Sequence, residues 1–131
     1  MNAASQSRKV AVLYGGWSAE REVSLATGKA VIDALGRLGH DVVAIDAGRD
    51  VAARLVEAAP DAVFNALHGR WGEDGAVQGL LEILGLPYTH SGIAASAIAM
   101  DKALAKRIFA SCGLSVAEGR VVGRDELFAG D

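Results

Sequence analysis

The sequence has few features that would suit it to disulfide bonding, nucleic-acid binding or membrane insertion. It has one cysteine, Cys112, in 131 residues, so no disulfide forms within the chain, and a cytoplasmic location is expected. The formal net charge is only -3, so neither nucleic acid nor a membrane is expected as a partner. Residues 1–9 lack the apolar segment of a signal peptide, and the apolar stretch at 93–100 is too short to span a bilayer.

Hydrophobic residues make up 51% of the chain, and they recur in an alternation of strands and helices. Continuous apolar runs predict buried strands, whereas apolar spacings of three and four residues predict helices. The order is typical of an α/β layer fold with about four mainly parallel strands between helices. The predicted strands are 9–14, 41–46, 61–67, 86–89 and 119–122, and the predicted helices are 19–38, 51–58, 77–84, 92–100, 101–112 and 124–128.

The pattern also predicts a division of the chain into segments. Residues 1–8 are expected to be a disordered tail, and residues 9–100 an amino-terminal α/β domain. Residues 101–131 supply a helix and a strand without a complete partner layer. We therefore expect residues 101–131 to begin a second, incomplete domain.

The stretch after the first predicted strand is the first candidate site. Gly15 and Gly16 allow a sharp turn, and Ser18 is a natural N-cap for the next helix. Glu20 then either complements the positive end of that helix or holds a cationic group such as a substrate ammonium. Trp17 is either partly packed or part of a lid.

The helix after this turn is predicted to lie against the sheet. Gly28 in its interior costs about 1 kcal/mol relative to alanine, and a close approach to the sheet would compensate. The predicted apolar face consists of Val23, Ala26, Ala30, Ala34, Leu35 and Leu38.

Two further positions carry candidate chemistry. His68 follows the third strand, at the sheet edge that also carries Glu20, and it is either a structural histidine or a group facing a carboxylate or phosphate. Glu73 and Asp74 are expected in the first turn of the next helix, and no metal site is predicted there because one histidine and two adjacent acids lack ligand spacing. Lys102 begins a helix, where it is either a solvated lysine or a partner for bound phosphate.

Three motifs together resemble one family, the D-alanine–D-alanine ligases. They read GGWSAEREVSL at 15–25, ALHGRWGEDG at 66–75, and GLPYTHSG at 85–92 followed by MDK at 100–102. They stand in the family's order and cover the chain from about residue 9 to residue 113. The resemblance implies a three-layer α/β/α, Rossmann-like pre-ATP-grasp domain and the start of an ATP-grasp domain.

The resemblance also implies an activity. ATP would phosphorylate the carboxylate of one D-alanine, and the amine of a second D-alanine would attack the acyl phosphate, giving a dipeptide for peptidoglycan and thus for cell wall and cell shape. By resemblance Glu20 orients the ammonium of the first D-alanine, and Val23 lines its methyl pocket. His68 faces the carboxylate or acyl phosphate, and Lys102 contacts nucleotide phosphates.

The same resemblance sets limits on this chain. The family is longer, with Mg²⁺ or Mn²⁺ ligands expected outside these residues, so the chain by itself is predicted to be inactive. A homodimer through the amino-terminal domain is implied. A D-alanine–D-lactate ligase and a non-catalytic α/β dimerisation or ligand-binding module remain as alternatives.

Overall fold

Three parallel strands form the centre of the molecule. The computed structural model describes residues 7–128, and within that range the strands are β1 (Lys9–Tyr14), β2 (Asp41–Asp46) and β3 (Ala62–Asn65), in the order β2-β1-β3. Both pairings of β1 are parallel, with Leu13 opposite Ile45 on one side and Asn65 on the other. The helices are α1 (Arg21–Arg37), α2 (Val51–Ala58), α3 (Ala76–Ile83), α4 (Ile93–Met100), α5 (Lys102–Ser111) and α6 (Arg124–Phe128).

Helices cover both faces of this sheet, which confirms the predicted α/β layers. On one face, side chains of all three strands pack against α2 and α3 in a buried apolar cluster of Ala11, Leu13, Ile45, Leu55, Val63, Val77 and Leu81. On the other face lies α1, and a Cβ on its Gly28 would clash with the Tyr14 side chain. The close approach expected at Gly28 is therefore present.

The predicted apolar face of α1 is wrong. Val23 is 53% exposed and Leu38 69% exposed, whereas Ser24 and Gly28 are buried. The hydroxyl of Ser24 donates a hydrogen bond to the carbonyl oxygen of Ala66 at 2.7 Å, which anchors the helix through a polar group. The prediction relied on the spacing of apolar side chains, and this criterion does not detect a helix face that packs through small residues.

Two predicted strands are not strands. The segment at 86–89 is reduced to a single parallel bridge between Val63 and Tyr88, beside β3. Residues 119–122 form no regular structure and make no sheet pairing. A strand needs a neighbour for its backbone groups, and within the described range this segment has none.

The predicted division into segments stays a prediction. Most of the predicted tail, residues 1–6, lies outside the described residues. Ser7 donates a hydrogen bond from its hydroxyl to the carbonyl oxygen of Gly39 at 2.8 Å. No helix in the described part of the chain has the length and apolar character needed to cross a membrane.

Candidate functional site

The first half of the site is the loop at residues 15–20, which joins β1 to α1. Gly15 and Gly16 have φ of 70° and 75°, a left-handed conformation that glycine adopts without strain. Arg21 donates to both carboxylate oxygens of Asp46, at 2.7 and 2.6 Å, and to the carbonyl oxygen of Gly16 at 2.8 Å. The hydrogen bond from Arg21 holds the pKa of Asp46 below its usual range. This ion pair fixes the turn that leads to Glu20.

Ser18 is not the N-cap of α1. Helix α1 begins at Arg21, with Glu20 in the capping position and no side-chain capping hydrogen bond. The hydroxyl of Ser18 instead accepts from the backbone N–H of Glu20 at 3.1 Å and donates to the carbonyl oxygen of His68 at 2.8 Å. Its role is to join two loops.

The second half of the site is the loop at residues 68–75, which leads from β3 towards α3. The carboxylate of Glu73 accepts from the backbone N–H of Gly69 at 2.6 Å, which closes the loop on itself. The side-chain amides of Asn65 and Gln78 both donate to the carbonyl oxygen of Gly72, at 2.8 and 2.9 Å. The base of this loop is therefore held by buried polar groups.

Glu20 and His68 meet where the two loops touch. Glu20, His68 and Glu73 each place one side-chain ligand atom within 4.8 Å of the others. Glu20 and Glu73 are exposed, whereas His68 is half-buried. The arrangement puts two carboxylates beside one imidazole at the carboxyl edge of a parallel sheet, where open α/β folds bind ligands.

A hydrogen-bond chain links His68 to helix α1 through Thr27. The hydroxyl of Thr27 donates to the carbonyl oxygen of Val23 at 3.0 Å, and its oxygen lies 3.1 Å from Nε2 of His68. When the hydroxyl proton points to Val23, Thr27 accepts from Nε2–H of His68; when it points to His68, Nε2 is the acceptor. Both arrangements use Nε2 and leave Nδ1 of His68 for another partner.

A cavity of about 530 Å³ lies beside His68, between β3 and α4. Its lining includes Thr27, Glu73, His90 and Ser96. Gln78 also lines it, and among the described residues the Oε1 atom of this buried side chain has no hydrogen-bond partner. The cavity therefore combines apolar walls with a few polar groups, as small-molecule sites do.

Comparisons with known proteins show which family the chain resembles. The family model described as "D-ala D-ala ligase N-terminus" matches residues 49–91. The D-alanine–D-alanine ligase of Parvibaculum lavamentivorans is 62% identical over 122 residues, which are 93% of this chain and 40% of that protein. The ligase of Gluconobacter oxydans is 62% identical over 126 residues, or 94% and 42%. The chain belongs to the D-alanine–D-alanine ligase family.

Solved structures of ligases agree with this assignment. The D-alanine–D-alanine ligase from Bacillus anthracis complexed with ATP gives a TM-score of 0.74 at 36% identity, over 92% of this chain and 44% of that one. The ligase from Coxiella burnetii gives 0.70 at 29% identity, over 86% and 43%. The chain thus spans about two fifths of the length of its ligase relatives, and its predicted identity is confirmed for that amino-terminal part.

The structure brings together two of the four site residues predicted for this ligase region. Glu20 and His68 are neighbours, but Val23 is exposed on α1 and does not line the cavity beside His68. Lys102 lies in the first turn of α5, which Asp101 caps through a 2.9 Å hydrogen bond from the backbone N–H of Leu104. It lines a separate cavity of about 490 Å³, where the other basic residues are Lys106, Arg107 and Arg120.

Sequence reasoning missed two residues of the site. Thr27 lies one helical turn after Val23, so the spacing alone could have placed it on that side of α1. Glu73 was expected in the first turn of a helix, but α3 begins at Ala76 and Glu73 closes the preceding loop. No local signal distinguishes a loop-closing glutamate from a helix-start glutamate.

Metal ligands are not predicted for this ligase segment, and that expectation stays a prediction. Spacing along the sequence paired His68 with Glu73 and Asp74, and overlooked Glu20. Within the described range, Glu20, His68 and Glu73 come nearest to a ligand set. One oxygen of Glu73 and Nε2 of His68 already have hydrogen-bond partners.

Proposed function

We propose that this chain supplies the binding site for the first D-alanine in an ATP-dependent D-alanine–D-alanine ligase. The reaction would proceed through an acyl phosphate, which the amine of a second D-alanine attacks. The observation that carries the proposal is the meeting of Glu20 and His68 across two loops at the carboxyl edge of the sheet. The names of the relatives, and the ATP bound to the Bacillus anthracis enzyme, support the reaction.

Charge complementarity assigns the two side chains. Glu20 is an exposed carboxylate, which suits the ammonium group of an amino acid. Nε2 of His68 is engaged with the Thr27 hydroxyl, so Nδ1 would face a substrate carboxylate or acyl phosphate, as a donor when protonated.

The remaining predicted roles stay proposals. Lys102 and its basic neighbours would contact nucleotide phosphates, because a lysine at a helix start is best compensated by an anion. Val23, which is exposed on α1 one turn before Thr27, would line the pocket for the substrate methyl group. Mg²⁺ or Mn²⁺ would accompany ATP, on ligands outside this chain.

The wider setting follows from the same proposal. A ligase that consumes ATP and D-alanine would act in the cytoplasm, in peptidoglycan synthesis for the cell wall and cell shape. Residues 9–100 would form the substrate-binding domain, residues 101–131 would begin the ATP-grasp domain, and the amino-terminal domain would form a homodimer. We expect this chain by itself to release no ADP in response to D-alanine, because most groups around the transferred phosphoryl would be absent.

The relatives' names do not favour the alternatives. A D-alanine–D-lactate ligase would share this half, and competition between D-alanine and D-lactate in the assay below would reveal it. A non-catalytic binding module would leave the assay without turnover.

The test uses a full-length ligase that carries this chain as its amino-terminal part. We expect Glu20→Gln to lower kcat/KM for D-alanine roughly 10- to 100-fold, the loss expected when a hydrogen bond to a charged group is removed. The matched control is Glu22→Gln, which removes the same charge two residues on, in the first turn of α1. Equal values of kcat/KM for wild type and Glu20→Gln would refute the assignment.

A further inference from the structure

The two tryptophans of the chain are in contact with each other. Trp17 lies in the loop at 15–20 and Trp71 in the loop at 68–75, and their ring centroids are 6.1 Å apart with the ring planes tilted by 45°. The pair is 44% and 41% exposed, and neither ring belongs to the apolar cluster under the sheet. This contact therefore links two loops at the surface.

The backbone at Trp71 argues that its side chain is needed. Its φ is 76°, in the left-handed region that a bulky residue enters only at a cost in free energy. The same loop uses glycine at its other positive-φ positions, Gly69 and Gly75. A glycine would suit position 71 locally, so the contacts of the indole must offset the strain.

Arginines cover both tryptophans. The guanidinium of Arg49 lies 5.8 Å from the ring centroid of Trp17, and that of Arg70 lies 4.6 Å from the ring centroid of Trp71. These are cation–π distances. Each exposed ring therefore has a cation–π partner.

The tryptophan contact joins the two loops that carry Glu20 and His68. Trp17 is three residues before Glu20, and Trp71 is three residues after His68. Between the loops lies a small cavity of about 20 Å³, which is lined by both tryptophans, Ser18 and His68. The loops thus touch directly, and the ring contact fixes how they sit against each other.

We propose that Trp17 and Trp71 are positioning residues that set the placement of Glu20 relative to His68 for the first D-alanine. The inference rests on the proposed function. The rings themselves do not touch the substrate. They act by keeping the loop that carries the carboxylate against the loop that carries the imidazole.

The test is a double-mutant cycle in the full-length ligase, with Trp17→Ala and Trp71→Gly. Trp71→Gly removes the ring and relieves the backbone strain together, so folding should survive, as thermal unfolding will check. We expect each variant to lower kcat/KM for D-alanine roughly tenfold, the scale of loss when supporting contacts of a site are misplaced. The KM for ATP should not change.

The cycle separates this proposal from a general structural role. If loss of the contact between Trp17 and Trp71 causes the lower kcat/KM, the double variant should have the same kcat/KM as either single variant, because both substitutions remove the same interaction. Trp17→Phe, which keeps an aromatic ring, should recover most of the activity. Val56→Ala, at an exposed apolar site on α2, should leave both KM values unchanged.

The contrary results are equally definite. Additive losses, an equal rise in both KM values or unchanged kinetics in both variants would each overturn the positioning role. If the tryptophan variants are normal while Glu20→Gln is impaired, the positioning role fails and the proposed function stands. If Glu20→Gln has normal kinetics, the proposed role of Glu20 fails, and the positioning role that rests on it fails as well.

Discussion

The sheet region, residues 9–92, and the carboxyl-terminal region, residues 93–128, differ in where their apolar side chains go. The apolar cluster lies entirely in the sheet region, from Ala11 to Leu81. Of the described side chains in the carboxyl-terminal region, only Ser96 and Ala105 are buried. Many of its large apolar side chains are exposed instead, at Ile93, Met100, Phe109, Leu114, Val116, Val121 and Leu127.

This difference shows which part of the chain is stabilised by its own packing. Burial of apolar surface is the main stabilising contribution to folding, so the sheet region has its own core while the carboxyl-terminal region contributes little. The two loops that carry Glu20 and His68 belong to the stable region. The difference supports the proposal that residues 101–131 begin a second domain, and the predictions below test it in order of expected effect.

The largest expected effect is at Leu81, which is fully buried on α3. Leu81→Ala should lower the free energy of unfolding by about 2–5 kcal/mol, through lost burial and the cavity left behind. Urea unfolding of this chain measures it. Ile83→Ala, on the same helix but 86% exposed, should change stability by less than about 0.5 kcal/mol. Equal effects would contradict the placement of the core.

The next effect concerns the contact between α1 and the sheet. Gly28→Ala should destabilise the chain by about 1–3 kcal/mol, because the new Cβ would clash with Tyr14. Gly36 lies in the same helix with no atom within 4 Å of an added Cβ, so Gly36→Ala should stabilise by up to about 1 kcal/mol. Urea unfolding should therefore show changes of opposite sign in the free energy of unfolding of the two variants. A stabilising Gly28→Ala would show that α1 lies further from the sheet.

Gly28 also shows how far the sequence could predict the fold. The bounds of β1, β2 and α2 follow from local patterns and are as predicted, because apolar runs, glycine and proline act over a few residues. The buried face of α1 did not follow, since Ser24 is held by a hydrogen bond to Ala66, forty-two residues along the chain. Whether residues 119–122 pair as a strand likewise depends on distant residues, and within the described range they have no partner strand.

The candidate site, like the fold, has a part that local sequence patterns predict and a part that depends on long-range contacts. Glu20 and His68 were predicted at one sheet edge because parallel strands share their carboxyl ends. The partners that complete the site are long-range contacts: Thr27 against His68, and the ring of Trp17 against that of Trp71. Nothing local in the sequence indicates which loop positions will touch.

A smaller effect depends on pH and concerns the ion pair at the first loop. The hydrogen bond from Arg21 lowers the pKa of Asp46 in the folded chain, so the pair stabilises the fold above the ordinary aspartate pKa of about 3.9. This contribution is lost as the pH falls through the lower folded pKa. The stability difference between wild type and Asp46→Asn should therefore be full at neutral pH and vanish in acid.

Urea unfolding at a series of pH values checks this prediction. The control is Asp50→Asn, because Asp50 precedes α2 without a side-chain capping hydrogen bond. A difference between wild type and Asp46→Asn that stays constant from neutral to acidic pH would show that the ion pair does not stabilise the first loop. Because the pair is half-exposed, added salt should also reduce the difference.

The smallest effect in this chain is at Phe109, which is 50% exposed on α5. Phe109→Ala should change the stability of this chain by no more than about 0.5 kcal/mol. In a full-length ligase that carries this chain, the same change should cost about 3–5 kcal/mol, provided that the second domain covers the ring there. A small effect in both proteins would mean that this face of α5 is exposed to solvent in the full-length ligase too. The difference in apolar burial between the two regions would then persist in the full-length ligase.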